Sequence, residues 1–175
     1  MMQDNCINFF KTCKYLSSWD PGDINCHFPS KIVVTCFIQQ GDKILILQRA
    51  RKDLQYKLWG IPGGKLDKGE SPLTGLIRDL KEELNLDFSP RNFKLLGITR
   101  SKTVSDGDYG LYLYYMQIPE NLKISINYEE HLSFEWVYLE EFEKYDLLLA
   151  QKEAYRFVEK KLKNIYKVNT LKLQG

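Results

Sequence analysis

The stretch that decides both the fold and the chemistry of this chain comprises Gly63-Gly64-Lys65-Leu66-Asp67-Lys68-Gly69-Glu70 and, a few residues later, Arg78-Asp79-Leu80-Lys81-Glu82-Glu83. Between these segments, Ser71 and Pro72 predict the start of a helix, because serine caps helix N-termini and proline is tolerated in the first helical position. Asn85 is typical of a left-handed residue that ends a helix. Apolar residues recur at helical spacing and predict one buried face, formed by Leu73, Leu76, Ile77, Leu80 and Leu84.

Three carboxylates fall on one side of this predicted helix. At about 100° per residue, Asp79, Glu82 and Glu83 share one sector, and we expect it to be exposed because the leucines lie opposite. Acids at these spacings repel one another, and the helix C-terminus disfavours negative charge. A divalent cation would remove both penalties, and Gly63 and Gly64 would let a backbone carbonyl turn toward it. A plain solvated face is the alternative interpretation.

The rest of the chain is predicted as a mixture of strands and helices. Two β-branched runs around a Gln-Gly-Asp turn, Ile32–Ile38 and Ile44–Arg49, indicate a hairpin. Later elements are predicted as strands at Phe93–Arg100, Leu111–Ile118 and Phe134–Tyr138, a polar loop at Ser101–Asp108, a short helix at Leu139–Tyr145 and a longer helix at Leu147–Tyr166. Because there is no strict βαβ repeat, we expect an α/β or α+β sandwich.

The acidic helix and the glycines before it resemble the signature of the Nudix family. That signature is a glycine, five residues, Glu, seven residues, Arg-Glu, an aliphatic residue, any residue, Glu-Glu, any residue, Gly and an aliphatic residue. The matching positions are Gly64, Glu70, Arg78-Asp79, Leu80, Glu82-Glu83, Asn85 and Leu86. Every spacing is kept, but Asp79 stands in place of Glu and Asn85 in place of Gly. Flanking segments at Trp59–Gly64 and Glu130–Phe142 also resemble MutT-type members.

The resemblance implies a Nudix-type α/β/α sandwich with a central mixed β-sheet, which is an α/β fold. It also implies a hydrolase that uses Mg²⁺, with Mn²⁺ as an alternative cation. The bond cleaved would be the phosphoanhydride of a nucleoside diphosphate linked to another moiety, or of a nucleoside triphosphate. A catalytically weak nucleotide-binding sensor or regulatory module is the competing hypothesis, and it is motivated by Asp79.

Site residues also follow from the resemblance. The metal would be held by residues of the signature, namely Gly64, Glu70, Glu82 and Glu83. Glu82 and Glu83 would be the main ligands, and Glu70, at the helix entry, would also help to organise the loop. Arg78 would orient these carboxylates rather than touch the substrate. Asp79 occupies a position used for metal binding or for general-base work.

The identity of the general base stays open in the sequence. The side chain of Asp79 is one methylene shorter than Glu, so its carboxylate reaches about 1.5 Å less far. Either a water bridges the gap, or an acid from a loop serves as the base or as an extra ligand, for which Glu129, Glu130 and Glu135 are candidates. Each of these is more often a plain surface acid, and His131 is a weaker candidate still.

Substrate contacts are predicted in the loops near the signature. Tyr56, Trp59 and Tyr109 could stack on a nucleobase, although each could instead fill the edge of the core. Arg49 and Arg51 could meet phosphates.

Composition limits the remaining classes. A formal net charge of +2 without a basic stripe argues against nucleic-acid binding. No apolar stretch approaches the roughly 18 residues of a membrane helix, and no secretory signal is evident, so we expect a cytoplasmic protein. A small-molecule nucleotide is the expected partner, and a homodimer is left open. We divide the chain into a helical N-terminal extension packed on the domain (1–30), the Nudix domain (31–168) and a C-terminal tail (169–175).

Overall fold

The computed structural model of this chain describes residues 29, 31–53, 55–103 and 107–173. The helical extension predicted for residues 1–30 therefore lies outside the described residues, apart from Pro29. Within the described ranges, no helix has both the length and the apolar character that crossing a membrane requires.

The predicted hairpin forms, but its strands separate beyond the turn. Strands β1 (Lys31–Gln40) and β2 (Lys43–Arg49) pair antiparallel beside the turn, where Gln39 faces Ile44. Gly41 has a φ of 60° there, a left-handed conformation that glycine adopts without steric penalty. The separation leaves most of each strand free to pair with other segments.

Those other segments build a mixed sheet. The remaining strands are β3 (Trp59–Gly60), β4 (Gly63–Lys65), β5 (Lys94–Thr103), β6 (Gly107–Ile118) and β7 (His131–Tyr138). The strand order is β3-β2-β1-β6-β5, with β4 paired to β1 and β7 paired to β2. Because β1 and β6 run parallel whereas the other pairs are antiparallel, the predicted mixed sheet is confirmed.

The loop predicted at Ser101–Asp108 is wrong in large part. Strands β5 and β6 continue toward each other, and the last described pair joins Thr103 to Gly107. The polar sequence suggested a loop, but ladder hydrogen bonds come from the backbone and do not need apolar side chains.

Two helices cover the two faces of the sheet. Helix α1 (Pro72–Leu84) packs on one face and helix α2 (Leu149–Leu173) on the other. Strand β2 shows the alternation directly, since Leu45 and Leu47 join the α1 cluster while Ile44 joins the α2 cluster. The predicted α/β/α sandwich is confirmed.

Helix α1 begins and ends as its sequence predicts. The Ser71 hydroxyl accepts a hydrogen bond from the Thr74 backbone N–H at 3.2 Å, and Pro72 occupies the first turn. Asn85 ends the helix in the left-handed region with φ 52°, and its N–H donates to the Lys81 carbonyl at 3.0 Å. These caps fix the two ends of the helix.

Helix α2 begins later and ends later than predicted. The backbone before it is used by β3, because the Trp59 N–H donates to the Asp146 carbonyl at 2.8 Å and the Leu148 N–H donates to the Trp59 carbonyl at 2.9 Å. The short helix predicted before it is a 3₁₀ helix at Leu139–Lys144, and another lies at Pro90–Asn92. Helix α2 continues into the residues predicted as a tail, and the division of the chain into parts stays a prediction.

Gly63 is the position at which the fold should tolerate a side chain least. A Cβ there would overlap the Val34 carbonyl oxygen and lie 2.7 Å from the Thr35 Cα, and φ is 138°. Gly63→Ala should therefore lower the free energy of unfolding by about 2–4 kcal/mol, measured by urea denaturation.

The matched control is Gly69→Ala. Gly69 also has a positive φ of 85°, but a Cβ there meets nothing within 4 Å. Its effect should be limited to backbone strain of about 1 kcal/mol. Equal destabilisation by the two variants would contradict the close packing of β4 on β1.

Candidate functional site

Asp79 and Glu83 lie on the buried edge of helix α1. Each residue is only 7% exposed, whereas the Glu82 side chain is 54% exposed. The predicted exposed position is therefore wrong for Asp79 and Glu83. They border the leucine stripe, and strand β4 and the start of β7 cover them.

The two glycines of β4 bring backbone directly against these acids. The Gly63 N–H donates to Glu83 Oε2 at 2.9 Å. A Cβ on Gly64 would lie 2.8 Å from Asp79 Oδ2 and 2.9 Å from its Cγ. A residue larger than glycine at position 64 would therefore displace the Asp79 carboxylate.

Arg78 links the loop before the helix to the acids on it. Its guanidinium donates to both oxygens of Glu70, at 3.0 and 2.8 Å, and to Asp79 Oδ1 at 2.7 Å. A longer contact of 3.5 Å reaches Glu82, and Nη2 also donates to the Lys65 carbonyl at 3.3 Å. This is the orienting geometry expected of Arg78 from the sequence.

Glu70 is held by the loop and by Arg78. Its Oε2 also accepts from the Asp67 N–H at 3.1 Å, and these hydrogen bonds hold the pKa of the Glu70 carboxyl below its usual range. Glu70 was predicted among the metal residues. The paired hydrogen bonds from the Arg78 guanidinium already neutralise the Glu70 carboxylate, which favours organisation of the loop over metal binding.

Glu83 contacts His131, which is the weakest of the candidate residues that the sequence offers near β7. His131 Nε2 lies 3.0 Å from Glu83 Oε1, and His131 is 6% exposed. The Glu130-His131 pair directly before a predicted strand was the available signal for this contact. Sequence alone did not reveal that the strand start lies against the helix.

The turn that carries Glu130 and His131 is attached to the end of helix α1. The Asn127 N–H donates to the Glu83 carbonyl at 2.8 Å, and the His131 N–H donates to the Asn127 carbonyl at 2.9 Å. The Asn127 amide also donates to Glu130 Oε1 at 3.1 Å. The turn therefore presents its acid and its imidazole beside the last turn of the helix.

Among the described residues, one group of side chains could hold a metal ion. Glu83, Glu130 and His131 each offer one ligand atom, and these atoms lie within 4.8 Å of one another. Glu82, which was predicted as a main ligand, is not part of this group in the described ranges. Glu129 and Glu135 are not part of it either.

Burial makes the two acids of the helix unfavourable as isolated charges. It raises the pKa of Asp79 to about 7; the Arg78 guanidinium opposes this rise and the Glu83 carboxylate adds to it. Burial likewise raises the pKa of Glu83, against the hydrogen bond from His131. Buried carboxylates of this kind need a positive partner beyond Arg78 when they are ionised.

The donor set fits a divalent cation. Asp79 Oδ2 is buried and has no hydrogen-bond partner among the described residues, although buried carboxylate oxygens are normally paired. The carboxylate oxygens of Asp79, Glu83 and Glu130 suit hard cations such as Mg²⁺ or Mn²⁺.

Among the predicted substrate residues, Arg49 lies nearest the group in the sheet. Its Cα pairs with that of His131 across β2 and β7. The Arg49 side chain is 30% exposed, Nη2 lies 3.9 Å from Asp53, and Nε is buried without a partner among the described residues. Arg51 is 77% exposed and pairs with Asp53 at 3.2 Å.

The aromatic candidates separate into different surroundings. Trp59 packs on the α2 side of the core, edge-on to Tyr145 at 5.5 Å, which favours the interpretation that it fills the core edge. Tyr56 is 39% exposed, with the Lys57 ammonium 5.4 Å from its ring centroid. The side chain of Tyr109 lies outside the described part of the chain.

Two of the candidate loop acids are not brought to the group. The Tyr145 hydroxyl donates to Glu135 Oε2 at 2.7 Å, on the face of the sheet that bears α2. Glu129 is exposed in the turn, where its backbone N–H donates to Asn127 Oδ1 at 3.0 Å. Glu130 is therefore the candidate that the geometry retains.

The segment that carries these glycines, acids and arginine lies within a match to a known family. The family model described as NUDIX domain matches residues 29–160, which is more than half of the chain.

The chain belongs to the Nudix family.

This chain aligns with two Nudix relatives over most of their length. It is 32% identical to the nucleoside triphosphatase NudI of Escherichia coli over 134 residues, covering 70% of this chain and 93% of the relative. It is 29% identical to the CTP pyrophosphohydrolase of E. coli strain K12, covering 67% of this chain and 83% of the relative.

A solved structure agrees at the level of the fold. The Nudix domain of Shewanella oneidensis NrtR complexed with ADP ribose matches with a TM-score of 0.63 and 19% identity, covering 85% of this chain and 96% of that one. The predicted family, the predicted sandwich and the predicted class of Nudix-type pyrophosphohydrolase are confirmed.

The raised pKa of Asp79 predicts a stability effect that depends on pH. Unfolded Asp79 loses its proton near its ordinary pKa and folded Asp79 near 7, so the folded state loses stability between these pH values and the loss is complete above them. Asp79→Asn should therefore raise the free energy of unfolding in EDTA at pH 8 by about 1–2 kcal/mol, measured by urea denaturation.

Two comparisons sharpen this measurement. At pH 5 the Asn variant and the parent protein should be closer in stability, because Asp79 is then protonated. Glu82→Gln, which changes an exposed carboxylate, should shift the free energy of unfolding by less than about 0.5 kcal/mol. An Asn variant that is less stable than the parent at pH 8 would contradict the buried, ionised carboxylate.

Proposed function

We propose that this chain hydrolyses a phosphoanhydride bond of nucleoside triphosphates with the help of a divalent cation, Mg²⁺ foremost and Mn²⁺ as an alternative. The observation that carries the proposal is the buried acid pair of helix α1. Asp79 Oδ2 has no partner among the described residues, and Glu83 lies within 4.8 Å of Glu130 and His131. When both acids are ionised, they need positive charge in addition to the Arg78 guanidinium, which a divalent cation would supply.

The triphosphate assignment is supported by the relatives named above. One is named as a nucleoside triphosphatase and the other as a CTP pyrophosphohydrolase, and the chain covers 93% and 83% of their lengths. A nucleoside diphosphate linked to another moiety stays the alternative substrate class.

The cation would be held by oxygens at the edge where α1 meets β4. Asp79, Glu83 and the carbonyl of Gly64 are the proposed ligands, and Glu82 would add charge from the exposed side. A divalent cation bound there supplies neutralisation of phosphate charge and acidification of a water molecule. Arg78 keeps the carboxylates oriented through its hydrogen bonds to Asp79 and Glu70.

Glu130 is the proposed general base. Its residue is exposed, so it can accept the proton of an attacking water and release it to solvent. The Asn127 amide fixes one of its oxygens at 3.1 Å and leaves the other available. Asp79 is less suited, because Arg78 holds its Oδ1 and Gly64 packs against the carboxylate.

Arg49 is the proposed phosphate contact. It is next to His131 in the sheet, and among the described residues its guanidinium pairs with Asp53 alone, at 3.9 Å. A guanidinium so loosely paired is available for a bidentate contact with phosphate oxygens. Tyr56 and Arg51, in the exposed loop that follows, stay candidates for contact with the base and the outer phosphate.

Four other properties expected from the sequence stay predictions. These are a cytoplasmic location, a small-molecule nucleotide as the partner, no binding to nucleic acid, and the option of a homodimer.

A substrate panel tests the proposed function. Nucleoside triphosphates, nucleoside diphosphate sugars and ADP-ribose are incubated with the protein and Mg²⁺ or Mn²⁺, and released monophosphate, phosphate and pyrophosphate are measured. Turnover of at least one triphosphate that stops in EDTA is expected. Binding without turnover of any compound would favour the sensor or regulatory module, and neither binding nor turnover would overturn both.

Glu83→Gln should lower turnover by more than about 100-fold. Removing a residue that hydrogen-bonds to a metal ligand costs about 10- to 100-fold, and removing the charge of the ligand itself should cost more. The fold should be kept, since an amide of the same shape can still accept the Gly63 N–H. The thermal midpoint checks the fold.

Glu135→Gln is the matched control for that variant. It makes the same chemical change in an acid that bonds Tyr145 on the other face of the sheet. Its turnover should stay within about twofold of the parent, as for surface changes away from a site. Equal losses in the two variants would count against the assigned site.

A further inference from the structure

Strand β7 contains one extra residue where it pairs with the end of β2. Gln48 faces Ser133, but the next residue, Arg49, faces His131 rather than Leu132. Two residues of β7 therefore stand opposite one residue of β2, which is a β-bulge. Leu132, the residue passed over, is 39% exposed.

The bulge changes the face to which His131 belongs. In a regular strand, His131 would share a face with Ser133 and Val137, and Val137 packs in the cluster around α2. With the extra residue, His131 lies instead opposite Arg49 and reaches Glu83 of α1 on the other face. Bulges of this kind re-aim a side chain, and they are frequent beside active sites.

The re-aimed imidazole completes the set of bonds around Glu83. Oε1 lies 3.0 Å from His131 Nε2, and Oε2 accepts the Gly63 N–H at 2.9 Å. One contact comes from β4 and the other from β7, on different sides of the carboxylate. Such paired contacts fix both the side-chain angle and the plane of a carboxylate.

Among the described residues, the His131 ring has Glu83 as its one hydrogen-bond partner. His131 is 6% exposed, and its Nδ1 is buried without a partner among the described residues. If this position served only to fill space, leucine would fill it without burying an unpaired nitrogen. The backbone of His131 is also tied to the helix, through Asn127, whose N–H donates to the Glu83 carbonyl.

We propose that His131 is a positioning residue, delivered by the β-bulge, that holds the Glu83 carboxylate in the orientation required to bind the divalent cation. The inference rests on the proposed function, because it assigns a role toward the cation of that same site. It concerns how Glu83 is held and does not require His131 to touch the cation or the substrate.

The test measures Mn²⁺ affinity in the absence of substrate, by electron paramagnetic resonance of free Mn²⁺. His131→Leu should weaken Mn²⁺ binding by about 10- to 100-fold, the range typical for removal of a partner behind a metal ligand. His131→Gln should stay within about threefold of the parent, because its amide N–H lies at nearly the distance of Nε2. His131→Asn, whose amide falls short of Glu83, should resemble the Leu variant.

Ser133→Ala is the matched control on the same strand. Ser133 donates to Gln48 Oε1 at 3.2 Å on the face of the sheet opposite helix α1, so Mn²⁺ affinity should not change. The thermal midpoint in EDTA is measured for every variant. If the Leu variant fails to fold, the comparison of Gln with Asn carries the test alone.

The outcomes separate the two levels of the account. A Leu variant that binds Mn²⁺ as tightly as the parent would overturn the positioning role and leave the proposed function standing. A Gln variant as weak as the Leu variant would also overturn it, and would point to direct coordination by the imidazole. A parent protein that binds no Mn²⁺ would overturn the proposed function itself.

Discussion

The burial of Asp79 and Glu83 against the glycines of β4 is the constraint on which the rest of this structure depends. Carboxylates with 7% exposure are unfavourable beside one another unless positive charge and N–H donors surround them. Arg78 supplies part of that charge, Gly63 supplies an N–H, and the small size of Gly64 supplies the room. The buried leucines of helix α1 set the rotation that turns these acids toward the sheet.

The surrounding elements are arranged to serve this edge. The hairpin of β1 and β2 separates beyond its turn, and β4 enters beside β1 while β7 enters beside β2. Both β4 and β7 thereby reach Glu83, one through the Gly63 N–H and the other through His131. The buried charges lower the stability of the folded protein, as is common for functional sites.

Sequence alone predicted the local features, because their causes are local. Ser71 and Asn85 as helix ends and the spacing of the acids follow from nearest neighbours. The burial of Asp79 and Glu83 was not predictable, because helical periodicity shows which residues share a face of the helix but not which strands pack against that face. The role of His131 depends on a bulge opposite Arg49, and a one-residue shift in strand pairing leaves no local pattern. The extension of β5 to Thr103 was missed for a similar reason, because ladder bonds come from the backbone.

Anomalous diffraction from crystals containing Mn²⁺ tests the central claim most directly, because it locates the ion without reference to activity. The account predicts an anomalous peak within about 2.5 Å of oxygens of both Glu83 and Asp79, with His131 still hydrogen-bonded to Glu83. Absence of a peak at this edge in crystals soaked at high Mn²⁺ concentration, or a peak bound only by exposed acids elsewhere, would contradict the claim that the buried pair is a cation site.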